Sequence, residues 1–165
     1  MLKNKISILV VDDEIDICEM VAETLRDEGY NALIATSYAM AVDKLENENI
    51  NLLITDIWMN NDTKAGLKLL TFSQNNNPLI PVIMMSGHGN IQTAVKAAKS
   101  GAYDFIEKPF KAERLILLVE KAIQDRNLKL KVLDFELKES ERMALIGSST
   151  TFKNIKLKLN KIALT

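Results

Sequence analysis

The stretch LLITDIWMNNDTKAGLKLL, Leu52 to Leu70, decides the fold. It opens with the largely apolar run Leu52–Thr55 and sets Asp56 where that run stops. It then passes through Trp58 and an Asn-Asn-Asp loop, and resumes with helical spacing at Leu67, Leu69 and Leu70. A short apolar run bounded by turn-forming residues reads as a buried strand, and the three- and four-residue steps after it read as a helix. A buried strand that ends on a carboxylate needs a reason, because an ion leaves water only where something compensates it.

The same strand-then-helix unit recurs along the chain. Apolar runs at Ile6–Val11, Ala32–Ala35, Pro81–Met85 and Tyr103–Ile106 join Leu52–Thr55 to give five strands. Between the first two, Ile17, Val21, Ala22 and Leu25 repeat at helical steps, and Gly29 stands where a C-terminal cap belongs. Ala41, Val42 and Leu45 mark a second helix, and Ile91, Ala94, Val95 and Ala98 a fourth. Strands this uniformly apolar need cover on both faces, which a parallel sheet with right-handed helical crossovers supplies. The expected class is therefore α/β, a doubly wound five-stranded parallel sheet of order 2-1-3-4-5.

Composition narrows the alternatives. A chain of 165 residues, 47% hydrophobic, has room for one full core and a short extension. Residues 1–125 carry 12 Lys/Arg against 18 Asp/Glu, and residues 126–165 carry 9 against 4, so the front is acidic and the tail basic. A solvated helix face explains such a tail more often than nucleic acid does. One cysteine, Cys18, excludes a disulfide framework and agrees with a reducing cytosol. The sequence shows neither a signal peptide nor an apolar stretch long enough to span a membrane.

Strand order 2-1-3-4-5 brings the polar residues at the strand ends together: Asp12 and Asp13, Asp56, Ser86 and Lys108. Each alone has a plain reading, Asp as a helix cap, Ser86-Gly87 as a turn, Lys108-Pro109 as a strand terminator. Five at matching ends are harder to dismiss. Carboxylates about 4 Å apart repel by roughly 1 to 4 kcal/mol per pair, so gathering three calls for a counter-charge. A hard divalent cation fits, and open positions for water and phosphate favour Mg²⁺ over Ca²⁺. His88 reads as a loop residue, since no second His or Cys stands at ligand spacing.

These residues resemble the receiver domains of two-component response regulators. The matching motifs are ILVVDDE (Ile8–Glu14), LLITDIWM (Leu52–Met59), VIMMSGHG (Val82–Gly89) and GAYDFIEKPF (Gly101–Phe110), in family order from Ile6 to about Asp125. The resemblance implies a flavodoxin/CheY-like fold and phosphoryl transfer to Asp56 from a sensor histidine kinase, NtrY-like. It implies Mg²⁺ held by Asp12, Asp13, Asp56 and the Trp58 carbonyl, with Ser86 and Lys108 on the phosphoryl oxygens. It also implies a cis Lys108-Pro109 bond, a switch of Ser86 with Phe105, and autocatalytic phosphorylation without other enzyme activity. Asn60 replaces the usual proline after Met59, and the lengthened loop before Gly66 looks like the NtrX branch of the NtrC-like sigma-54-dependent activators. Trp58 and His88 flank the path of water to a phosphorylated Asp56, and are expected to lengthen its lifetime.

Three segments follow: a receiver over 1–125, a helical, coiled-coil-capable linker over 126–143, and over 144–165 the first residues of an AAA+ module. From Ile116, a heptad reading places Val119, Ile123, Arg126, Leu130, Leu133, Leu137 and Ser140 at seam positions, which suits a homodimer. A helix folded back on its own domain is the alternative. The segment from Leu145 to Ala163 resembles the opening of the sigma-54 activator ATPase, but no Walker A loop or helix-turn-helix follows it. DNA and sigma-54 polymerase are thus expected to be reached only through domains beyond this chain. A flavodoxin-like cofactor protein is disfavoured, because VDDE after strand 1 would repel a phosphate. A phosphoaspartyl hydrolase would want a second aspartate where Trp58 stands, and a phosphorylation-independent receiver would not need the acceptor, acidic pair and lysine.

Overall fold

The computed structural model describes residues 3–59, 62, 64–87 and 91–144, with backbone only for 91–94 and 144. A short 3-10 turn, Lys3–Lys5, leads into five alternating strands and helices. These are β1 Ser7–Val11, α1 Ile15–Asp27, β2 Asn31–Ala35, α2 Tyr38–Asn47, β3 Leu52–Asp56, α3 Ala65–Asn76, β4 Val82–Ser86, α4 Ile91–Lys99, β5 Asp104–Glu107 and α5 Ala112–Ala144. All neighbouring strands pair in parallel, in the order β2-β1-β3-β4-β5. The expected topology is therefore present, with strand limits differing from the expected ones by one residue at several ends.

Successive side chains on a strand point to opposite faces, and here both faces are buried. Ile8, Val10, Leu52, Ile54, Ile83 and Met85 pack under α1 and α5 with Cys18, Val21, Leu25, Leu115 and Val119. Their strand neighbours Leu9, Val11, Leu53, Val82 and Met84 pack under α2, α3 and α4 with Ala41, Leu45, Leu69, Leu70 and Ala97. Two cores sharing one sheet explain why the strands read as continuous apolar runs rather than alternating ones.

Helix α1 ends as Gly29 requires. Its φ of 88° is left-handed, the Gly29 N–H donates to the Arg26 carbonyl at 2.8 Å, and the Tyr30 N–H donates to Leu25 at 3.0 Å, a Schellman close that returns the chain to β2. Helix α4 departs from its expected burial. Val95 is 45% exposed and Ala98 is exposed, while Ala97 is fully buried, so the small residue faces the sheet and the larger one faces outward.

Helix α5 corrects part of the heptad reading. Its 33 residues span about 50 Å. Val119 and Ile123 lie in the receiver's own core, Ile116 packs against it, and Arg126 is buried. The first half of the proposed seam is thus spent inside the domain. Leu130, Leu133, Leu137 and Ser140 are half-buried, whereas Leu128, Val132 and Phe135 stand exposed on the other side. Fewer than two heptads remain, short of the three or four that sustain a coiled coil alone. Residues 145–165 lie outside the described residues.

The loop from β3 to α3 is pinned from below. The Gly66 N–H donates to the Ile57 carbonyl at 3.0 Å, and a Cβ added at Gly66 would strike the Asp56 carbonyl oxygen and lie 2.8 Å from Ile57 Cα. These are backbone atoms with little room to move. A Cβ at Gly87 would meet nothing within 4 Å. Gly66→Ala should therefore cost about 1 to 3 kcal/mol in urea unfolding, and Gly87→Ala should stay within about 0.5 kcal/mol of wild type. Equal effects of the two substitutions would contradict this account of the loop.

Candidate phosphoacceptor site

The carboxyl ends of β1, β3, β4 and β5 form one edge of the sheet. Asp12 follows β1 directly and is 1% exposed; its Oδ1 accepts the Glu14 N–H at 3.0 Å, an Asx-type turn that leads into α1. Asp56 is the last residue of β3, buried, and its Oδ2 accepts the Trp58 N–H at 3.0 Å. Ser86 ends β4 and is buried as well. Lys108 comes directly after β5, its backbone N–H held by the Ser86 carbonyl at 2.8 Å, and the Lys108-Pro109 bond is cis, as the resemblance implied.

Lys108 ties the edge together. Its Nζ lies 2.5 Å from Asp12 Oδ2 and 3.0 Å from Asp56 Oδ1. Burial pushes the lysine's pKa down, but the two carboxylates outweigh it and the net direction is upward. The ammonium is therefore firmly protonated. Asp56 is raised above the ordinary carboxylate range, chiefly by burial, with Lys108 pulling the other way and Asp12 adding repulsion. Asp56 is thus a carboxylate that gains from a further positive or donor group.

The structure brings together four of the expected residues, Asp12, Asp56, Ser86 and Lys108, and leaves a fifth, Asp13, exposed next to Asp12. Asp13 is exposed, and no cluster of three acidic, His or Cys side chains forms among the described residues. The two buried carboxylates, Asp12 and Asp56, share one ammonium, which offsets part of the electrostatic cost of gathering them. Trp58 is 39% exposed at the rim, and Phe105, on β5, is half-buried against the core. His88 lies outside the described residues.

A cation still has a place here. Asp56 Oδ1 is buried and, although Lys108 is within ion-pair distance, no donor is aligned on it as a hydrogen bond. A hard carboxylate oxygen that is buried without an aligned donor, next to the second carboxylate of Asp12, suits Mg²⁺. Sequence reasoning missed Asp62. Its Oδ1 accepts the Lys64 N–H at 2.9 Å, its Oδ2 pairs with Lys68 at 2.7 Å, and its backbone bridges to Met59, which is buried. The lengthened loop is closed by this residue, and the Asx-turn propensity of an Asn-Asn-Asp run was the available signal.

The raised pKa of Asp56 has a thermal consequence. The folded protein binds that proton more tightly than the unfolded chain, so its stabilising effect is complete at low pH and is lost as pH rises through the folded pKa. Near pH 7, ionised Asp56 works against folding. Asp56→Asn should melt about 4 °C higher than wild type at pH 7, equivalent to about 1 kcal/mol, with the gap narrowing as pH falls through the raised value. Millimolar Mg²⁺ should raise the melting temperature of wild type and leave the variant unmoved. A variant that melts no higher at pH 7 would mean that Lys108 already offsets the burial in full.

Comparison with known proteins agrees with this geometry. Residues 8–120 match the response regulator receiver domain family. The nitrogen assimilation regulatory protein NtrX of Azorhizobium caulinodans is 41% identical over 159 residues, 96% of this chain and 35% of that protein. The crystal structure of NtrX from Brucella abortus in complex with ADP superposes with a TM-score of 0.74 at 41% identity, covering 95% of this chain and 35% of that one. The crystal structure of the receiver domain of NtrX from the same organism gives 0.67 at 49% identity, covering 71% of this chain and 98% of that one. The chain spans about one third of the length of the curated relatives it matches. With two buried aspartates, a serine and a lysine on one sheet edge, and with residues 8–120 matched, this chain belongs to the response regulator receiver domain family.

Proposed function

We propose that the chain is the phosphoacceptor module of a two-component regulator, in which Asp56 takes a phosphoryl group from a phosphohistidine of a sensor histidine kinase. The observation that carries this reading is the Lys108 ammonium between Asp12 and Asp56. A carboxylate oxygen of Asp56 forms a bond to phosphorus while the phosphorus–nitrogen bond breaks, and the imidazole leaves with its electron pair and takes up a proton. Charge spreads over the equatorial phosphoryl oxygens as this happens. Lys108 is held where it can meet one of those oxygens, and the Ser86 hydroxyl, at the end of the neighbouring strand, can donate to another. Asp12 and Asp56, with Asp13 and the Trp58 carbonyl at the rim, would hold Mg²⁺, which would neutralise phosphoryl charge. Gly87 leaves the mouth open, since nothing lies within 4 Å of where its Cβ would be.

The output follows from the same edge. Ser86 drawn towards a phosphoryl oxygen frees space above β5, and Phe105, half-buried on that strand, is the ring placed to move inward. The face of α4, β5 and α5 then carries the signal, and exposed Val95 on α4 gives it an apolar contact point for a second copy. In the longer regulators to which the chain is similar, this change would reach transcription through domains that follow α5, with sigma-54 polymerase and DNA as their partners.

Acetyl phosphate with Mg²⁺, followed by intact mass, tests the reaction. Wild type should gain one phosphoryl group, Asp56→Asn none, and Lys108→Ala at least about tenfold less, equivalent to about 1.4 kcal/mol. Loading should also shift amide signals of α4 and β5. Undiminished uptake by the Asn variant, or by wild type with chelator, would defeat the proposal.

The lifetime of the phosphoryl group is set, in this reading, by side chains that hinder water in line with the Asp56–phosphorus bond. Trp58, two residues past the acceptor and anchored through its own N–H on Asp56, stands at the rim, and His88, outside the described residues, is the second residue that the sequence suggests for this role. Replacing Trp58 by Asn and His88 by Ala should speed dephosphorylation about tenfold. An unchanged decay rate, with the fold intact, would remove both from that role.

A further inference from the structure

We propose that a cavity at the opposite edge of the sheet, built around Arg126, is a binding site for a carboxylate on a short apolar stem. Arg126 lies on α5 and is 9% exposed, yet its Nε has no hydrogen-bond partner, and the guanidinium has no ion-pair partner among the described residues. Burial alone lowers its pKa, with no neighbouring acid to restore it. The adjacent Asp125 lines the same cavity but makes no ion pair with Arg126, and its Oδ2 accepts the Tyr103 hydroxyl at 2.6 Å. A buried N–H taken out of water without a replacement partner is destabilising unless an acceptor reaches it.

The place for that acceptor is a cavity of about 290 Å³ lined by Arg126, Lys129, Tyr103, Ile80, Pro81 and Ala122. Ile80 and Pro81 precede β4 and Tyr103 precedes β5, so the cavity sits at the amino ends of the strands, away from Asp56. It stands independently of the phosphoacceptor reading.

The chemistry of the lining selects the ligand. Arg126 and Lys129 bring two positive charges and Asp125 one negative, leaving one positive charge to be matched, which favours a monoanion over a phosphate dianion. A guanidinium presents a planar pair of N–H groups that suits a carboxylate in bidentate contact. The walls from Ile80, Pro81 and Ala122 are apolar and suit two or three methylenes behind that carboxylate. A free short-chain acid and a glutamate side chain of another protein share this chemistry.

The test uses the whole chain with ¹⁵N-labelled arginine, following the Nε–Hε signal that Arg126→Lys removes. Sodium butyrate, compared with sodium chloride at equal ionic strength, should shift that signal saturably, together with the amides of Tyr103 and Ala122. Arg126→Met should weaken butyrate binding at least tenfold, read on those two amides, and Lys129→Gln severalfold, both while still accepting a phosphoryl group at Asp56. The peptide acetyl-Ala-Glu-Ala-amide, compared with its Gln counterpart, forms the second arm. Tighter binding of the Glu peptide than of butyrate identifies a protein side chain as the source, and the reverse order identifies a free acid. A response that does not saturate with either probe, or that is the same in Arg126→Met, would overturn the proposal. Should Arg126→Met fail to fold, the wild-type titration decides alone, since shifts that bypass Arg126, Tyr103 and Ala122 would equally overturn it.

Discussion

Everything at the functional edge depends on one ammonium group. Lys108 reaches back across 96 residues to Asp12 and lies 3.0 Å from Asp56 Oδ1. Two carboxylates this deeply buried repel each other and are poorly solvated, and the lysine makes their common burial tolerable. The compensation is incomplete by design of the geometry: Asp56 keeps a raised pKa and a buried oxygen with no aligned donor. In the proposed reaction a site left partly unsatisfied would gain from a cation and a phosphoryl group, whereas a fully paired one would have nothing to gain from either.

The sheet supplies the precision that this arrangement needs. Strand β3 lies between β1 and β4, and the register that sets Asp56 opposite Met85 and Ser86 opposite Glu107 brings the next residue, Lys108, level with the strand ends. Side chains mounted on a core packed on both faces move little, so Asp56, Ser86 and Lys108 are held by the strands. Asp62 and Gly66 shape the loop that follows Asp56. One pins the lengthened loop through its carboxylate, and the other lets the backbone of α3 approach Asp56 and Ile57 more closely than any side chain would permit.

Helix α5 joins two regions with different demands. Its first half completes the core beneath β1, β3 and β4, and its second half runs on with apolar residues on two opposite sides. At the junction stands Arg126, charged and buried, the residue that a heptad pattern alone assigns to a seam. A seam residue and a cavity residue are indistinguishable in a periodic pattern, because periodicity reports which side of a helix is covered and not what covers it.

The sequence by itself determined the class of fold, the strand order and most of the site. Runs such as Leu52–Thr55 are legible because burial on both faces leaves no polar alternation, and Asp12, Asp56, Ser86 and Lys108 are legible because topology alone carries strand ends to one edge. The tertiary structure decided what depends on the direction and neighbours of individual side chains. It made the site two carboxylates and a lysine with Asp13 exposed, turned Val95 outward and Ala97 inward on α4, closed the loop with Asp62, and spent half of the heptad pattern inside the domain. None of these follows from spacing, since each is settled by competition among groups distant in the chain for one partner or one volume. Spacing fixes where a residue arrives, and only packing fixes what it meets there.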